Sequence, residues 1–295
     1  MALYWPAFEF TYSLDIQRLL PYLAAIEGAK TASTSRVLPP PWREQTGSPE
    51  SEVRLSDPSA QGDRVQQILL RKQELSKNNA SRAHAWVRQR FSPGSAPLSL
   101  EDILAMHRMV AAEGGIRYNT AGVLRQDGQK VVVGEAGIGV HVGAPAIKLQ
   151  RLMDDYVLFV NSAGQMNMPA AVHALVAHFF FTTIHPFEDG SGRVSRLVSA
   201  GILFQRGYRG HGFYALSNHF YENEARYHSL VFQTQQTPIF DLTRFVAFGL
   251  EGLAVELRGI NSFIRVKLHR TDERVILTPA LRQRAEARAR LLDSA

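Results

Sequence analysis

Apolar positions recur at helical intervals along most of the chain, and breaks rich in Gly and Pro separate the stretches. Behind an aromatic cluster (Tyr4, Trp5, Phe8, Phe10, Tyr12), the spacing predicts a helix from about Leu14 to Ile26. Residues 63–91 repeat the pattern with Val65, Ile68, Leu69, Leu75, Trp86 and Val87, and Lys77-Asn78-Asn79 divides it. Ser99 followed by Asp102 is a capping-box-like start, after which Leu100, Ile103, Leu104, His107 and Val110 keep helical spacing. Residues 147–162 predict a further helix on Ile147, Leu149, Leu152, Tyr156, Val157 and Phe159. Residues 168–184 are apolar nearly all round, the mark of a buried central helix. Val194, Leu197, Val198 and Ile202 then lie on one face of a following helix, and residues 238–260 read as an amphipathic one. Only residues 122–145 change character: Val131 to Val133, an Asp-Gly turn and several glycines predict a short β-hairpin. The expected fold is therefore all-α with one small hairpin.

Composition narrows this further. With 295 residues, 45% of them hydrophobic, the chain can bury a sizeable core. It has no cysteine, which excludes disulfides, thiolate metal sites and a Cys nucleophile. No apolar run reaches the ~18 residues that span a membrane. The first ten residues lack the basic start and small-residue cleavage site of a signal peptide. The expectation is a cytoplasmic protein without a membrane partner. Residues 35–62, rich in Pro, Ser and Gly, read as a long loop. The net charge of +6 is uneven: residues 265–295 carry eight Lys/Arg against four Asp/Glu, leaving the rest near balance. Nucleic-acid contact is thus open to this basic tail alone; a solvated helix face is the blander reading of the same residues.

The chemistry concentrates in residues 185–196, His-Pro-Phe-Glu-Asp-Gly-Ser-Gly-Arg-Val-Ser-Arg. Gly190-Ser191-Gly192 precedes a helix, so its backbone can approach a ligand, and Ser191 suits the N-cap. A helix N-terminus with free N–H groups is an anion site. Arg193 and Arg196, three apart, can face the same anion and pair with phosphate oxygens. His185 is a candidate base near neutral pH, and Asp189 is the hard oxygen ligand that Mg²⁺ takes together with nucleotide phosphates. These parts suit phosphoryl or nucleotidyl transfer.

This stretch resembles the signature of the Fic family, His-x-Phe-x-(Asp/Glu)-Gly-Asn-Gly-Arg-x-x-Arg, with Ser191 standing where the family usually has Asn. Fic proteins mostly transfer AMP from ATP to a hydroxyl of a target protein. The resemblance implies ATP and Mg²⁺ as the small-molecule requirements. The implied partner is a protein offering a Ser, Thr or Tyr hydroxyl, the chain itself included. It implies His185 as the base, Asp189 as the Mg²⁺ ligand, Gly190, Ser191, Gly192 and Arg193 as the phosphate nest, and Arg196 as partner of the γ-phosphate. The hairpin is similar to the Fic flap, which docks targets by strand addition, and Val133, Gly134 and Glu135 are the positions implied to face nucleotide and target. Tyr227 and Gln235 are similar to family residues at the adenine end, with His228 in the second place of a usual tyrosine pair. Near the start, Ala-Ile-Glu-Gly (residues 25–28) resembles an inhibitory helix, although Leu23 replaces its Ser or Thr. That implies Glu27 as an inhibitory residue pairing with Arg196. The resemblance assigns 1–98 to an N-terminal helical region, 99–258 to the Fic core and 259–295 to a basic helical tail. Removal of AMP, transfer of another phosphate-containing group and a non-catalytic ATP-binding module stay open, as does an oligomer. His107 and His178 read as structural, and His141 as exposed-loop material.

Overall fold

The computed structural model describes residues 8–34, 79–111, 121–129, 131–135, 139–208, 213–237, 239–255 and 257–258. In chain order these form strand β1 (Tyr12–Ser13), helix α1 (Ile16–Thr34), helix α2 (residues 79–90) and helix α3 (Leu100–Ala111). The antiparallel strands β2 (Val132–Glu135) and β3 (Gly139–Val142) follow. Then come helices α4 (Leu149–Val160), α5 (Ala163–Met166), α6 (Ala170–Ile184), α7 (Ser191–Gln205), α8 (Phe213–Glu222) and α9 (Glu224–Gln235). Strand β4 (Phe240–Asp241) and helix α10 (residues 243–255) close the described part. The loop at 35–62, the first part of the 63–91 helix, the break at residues 77–78 and the basic tail lie outside the described residues. Among the described residues no helix is long and apolar enough to cross a membrane.

The architecture is the all-α one the patterning predicts, built around α6. All fifteen of its residues are buried, because no face of AAVHALVAHFFFTTI is polar. Phe179, Phe180 and Phe181 pack outward from it in different directions. Phe180 meets Phe10 at a ring separation of 5.2 Å and Phe159 at 5.1 Å, and Phe179 meets Phe245 at 5.5 Å. The N-terminal aromatics that are described, Phe8, Phe10 and Tyr12, therefore pack on the domain. The predicted capping box opens α3: the Asp102 N–H donates to Ser99 Oγ at 3.1 Å, and the Ser99 N–H donates to Asp102 Oδ2 at 2.9 Å.

Three features differ from expectation. Helix α1 runs on to Thr34, past Ile26. Two short strands went unforeseen: β1 pairs parallel with β4, Tyr12 opposite Phe240, so β1 is stitched to the segment just before α10. Two residues per strand leave no period for a sequence to show. The stretch after α7 divides into α8 and α9 at Asn223.

Candidate active site

Helix α6 ends where the chemistry begins. Pro186 crowds the preceding residue out of the right-handed helical region, so the helix cannot pass His185. His185 instead takes φ 52°, ψ 64° and donates its backbone N–H to Phe181 O at 2.9 Å. Among the described residues it is the only non-glycine with positive φ. Such a conformation costs of order 1 kcal/mol and persists where surroundings over-determine it. The surroundings here are Arg125 and the hairpin. Arg125 Nε donates to His185 O at 2.9 Å, and the Arg125 N–H donates to Pro186 O at 2.9 Å. The Ala144 N–H, just past β3, donates to Ile184 O at 2.9 Å. His141 is not exposed-loop material: it is buried under β3, and its Nε2–H donates to Thr183 O at 2.6 Å. Burial, then the neighbouring His141 and Arg125, push the His185 imidazole down to about 4, so it is neutral at physiological pH.

The turn into α7 follows. Gly190 is the N-cap, at φ 86°, and Ser191 is the first helical residue rather than the cap. A side chain at Gly190 would be strained by that φ and would meet His107 Cδ2 at 3.3 Å. The Ser191 hydroxyl turns inward, accepting from the Phe187 N–H at 3.0 Å and donating to Phe187 O at 3.1 Å. It is 1% exposed, so it braces the loop from inside and offers a ligand only its backbone N–H. Asp189 forms an ion pair with Arg193, whose other nitrogen donates to Val110 O at 2.8 Å. His107 supports the turn as a structural residue. Its Nδ1 accepts from the Gly122 N–H at 2.9 Å, which leaves Nε2–H to donate to Asp189 O at 3.0 Å. Its ring stacks on Phe187 at 3.7 Å and 4°.

His185, Gly192 and Arg196 line a cleft of about 280 Å³. The Arg196 guanidinium has no carboxylate within ion-pair distance among the described residues, and burial lowers its pKa. Beside it Tyr227 OH lies 3.0 Å from His178 Nε2, and burial pushes that phenol up to about 12. Phe220, Val231 and Phe232 give the same cleft apolar lining, together with Glu224 and His228, which are 3.7 Å apart. Val133 and His141 close it from the hairpin.

Of the residues singled out in the sequence, the structure brings Val133, His185, Gly192, Arg196 and Tyr227 to one cleft. Asp189, Gly190, Ser191 and Arg193 form the turn beside it. Gly134 and Glu135 lie on β2, opposite Val140 and Gly139. Gln235 is placed elsewhere: it is buried, and its side-chain amide donates to Thr183 Oγ1 at 3.1 Å instead of lining the cleft. Glu27 does not reach Arg196. Its carboxylate accepts from Tyr208 OH at 3.0 Å, beyond the far end of α7. A rise of about 1.5 Å per residue puts the helix end at Gln205 roughly 13 Å from Arg196. Sequence reasoning missed Arg125, His141 and the aromatic lining of the cleft.

Residues 97–203 match the Fic/DOC family model. Over that stretch the chain is similar to the Fic/DOC family. Protein adenylyltransferase Fic from Drosophila ananassae is 32% identical over 111 residues, 38% of this chain and 20% of that relative. The protein of the same name from Aedes aegypti is also 32% identical over 111 residues, with the same two shares. The match thus spans about a fifth of the length of these curated relatives. Among solved structures, a Fic family protein from Desulfovibrio desulfuricans superposes with a TM-score of 0.55 at 21% identity, covering 83% of this chain and 64% of that one. A Fic domain containing signaling protein from Bacteroides thetaiotaomicron superposes with a TM-score of 0.51 at 17% identity, covering 83% and 89%. The helical core with its hairpin is the Fic fold.

Proposed function

We propose that this Fic domain, placed at residues 99–258 between an N-terminal region (1–98) and a basic tail (259–295), is a protein adenylyltransferase. In this reading it transfers AMP from ATP to a Ser, Thr or Tyr hydroxyl of a target protein. The observation that carries the reading is Arg196: a cation in a cleft wall, without a carboxylate partner among the described residues, beside a helix N-terminus. A charge held away from water needs a counter-ion, and an anion is what the N–H groups of α7 also favour. The triphosphate lies by Arg196 and the start of α7, and the base lies against Phe220, Val231 and Phe232. The hairpin β2–β3 presents the target segment by strand pairing. His185, neutral by burial, takes the proton from the hydroxyl, whose oxygen attacks the α-phosphorus. The bond from the α-phosphorus to the bridging oxygen breaks, and pyrophosphate leaves with the charge that Arg196 and the turn stabilise. Asp189 fits Mg²⁺ in one respect: a single carboxylate next to a phosphate site is a pattern this ion uses. The described residues hold no group of three or more His, Asp or Glu able to bind a metal alone, so phosphate oxygens would complete the coordination. When bound, the ion would neutralise phosphate charge.

The test is transfer of label from α-³²P-ATP with Mg²⁺ by wild type, His185→Ala and Arg196→Ala, self-labelling included. Wild-type labelling lost by 100-fold or more in both variants is expected. ATP binding by wild type without any labelling would replace this reading with a non-catalytic ATP-binding module. Restraint by Glu27 is not part of the proposal, because its carboxylate is engaged by Tyr208. Glu27→Gly should leave the labelling rate within about twofold of wild type, and a tenfold rise would reinstate the clamp.

A further inference from the structure

Arg125 stands on a nine-residue described segment between α3 and the hairpin, and its side chain is 5% exposed. Each of its three guanidinium nitrogens donates to a backbone carbonyl. Nε donates to His185 O at 2.9 Å, Nη2 to Ala144 O at 2.8 Å and Nη1 to Gln129 O at 2.8 Å. The three acceptors belong to three different pieces of the site: the candidate base, the foot of the hairpin and Arg125's own turn. Gln129 extends the tie, donating from Nε2 to Glu188 Oε2 at 3.0 Å in the signature loop. Gly143 packs into the same junction. A Cβ there would meet Arg125 Nη2 at 3.0 Å, His185 Cβ at 3.1 Å and Ile184 O at 3.4 Å.

We propose that Arg125 is the positioning residue that fixes the left-handed His185 and the hairpin to one another, setting the imagined path from target hydroxyl to imidazole. This rests on the adenylyltransferase reading above for its kinetic consequence, but not for its structural one. A planar fork with fixed donor directions is needed to hold three carbonyls at once; an ammonium on a flexible stem holds fewer, and less directionally. Strain of about 1 kcal/mol at His185 is not held by Pro186 alone, which also permits extended backbone. The lock on the His185 carbonyl selects the left-handed alternative.

Arg125→Lys keeps the charge and removes the fork. Expected are a loss of 30-fold or more in kcat for transfer to a target, and an ATP Kd within threefold of wild type. The melting temperature should fall by only a few degrees. A kcat within threefold of wild type would overturn the proposal. Gly143→Ala tests the same junction with Arg125 intact, should Arg125→Lys not fold. It should lower kcat and spare ATP binding, and unchanged kcat there also counts against the lock. A third readout does not need turnover. The ¹³Cα, ¹³Cβ and ¹³C′ shifts of His185, which report φ and ψ, should leave their left-handed values in either variant that folds. Unchanged shifts would overturn the proposal even in a protein that transfers nothing, whereas changed shifts with no wild-type labelling would sink only the adenylyl reading.

Discussion

Gly190 and Gly192 are two residues apart, yet a methyl group would do different things at each. At Gly190 the φ of 86° and His107 stand against any side chain. At Gly192 a Cβ would sit 3.7 Å from Arg196 Nη1, in ordinary contact and on the cleft side. Gly192→Ala should therefore leave stability unchanged, or raise it by about 0.5 kcal/mol as alanine favours helix. It should weaken ATP binding tenfold or more by filling phosphate space. Calorimetric titration alongside thermal melts separates the two effects, and equal ATP affinity would mean the phosphates lie elsewhere. His185 gives a pH prediction of defined sign. Its imidazole sits at about 4, below the ordinary 6.5, so the base form already dominates at neutral pH. Labelling kcat/KM should be flat from about pH 8 to about pH 6. An inflection near 6.5 with loss on the acid side would show an imidazole in contact with water.

At the level of elements, α6 and its neighbours show what a sequence reveals and what it hides. A stretch apolar on every face has one physical solution, burial on all sides, so α6 was legible from AAVHALVAHFFFTTI alone. The twelve-residue signature was legible too, since its glycines, acid and cations fall in one turn. The site's supports were not. Arg125 looks like any loop arginine, because its partners are main-chain carbonyls at residues 129, 144 and 185, which carry no side-chain signal. His141 is buried only because β3 lies across the end of α6. Glu27 belongs to the same level: a short motif fixes a residue type but not its partner, which here is Tyr208. Close helix packing was equally hidden. A Cβ at Gly249 would overlap the end of the Leu175 side chain, where α10 crosses α6. Gly249→Ala should destabilise by about 1–3 kcal/mol through overpacking, despite alanine's better helix propensity. Urea unfolding would measure it, and Gly249→Ala with Leu175→Ala together should recover part of the loss. A single variant as stable as wild type would mean α10 can shift outward freely.

Over the whole molecule, the described histidines are mostly buried and neutral. Burial lowers His107 and His173 to about 4 and His178 to about 3, and all three lie in the core with at most 2% exposure. In the unfolded chain each returns to about 6.5. Above that value both states are unprotonated and the histidines make no difference to stability. As pH falls from about 6.5 toward about 4, the unfolded chain binds protons that the folded chain refuses, so stability must fall. With His84 and His185, also lowered to about 4, five such groups set a limiting slope of roughly 7 kcal/mol per pH unit, enough to exhaust a typical stability of about 5–15 kcal/mol within a few pH units. The urea midpoint should therefore be constant from about pH 8 to about pH 7 and decline steeply below about pH 6. His173 isolates the cause. It is buried in the core beside Val160, and it takes no part in the cleft. His173→Leu fills similar volume without a titrating group, so it should flatten the acid slope by one proton while leaving the neutral-pH midpoint level or higher. An unchanged slope would mean that the folded protein protonates His173 where it stands, and the neutral core inferred from its burial would be wrong.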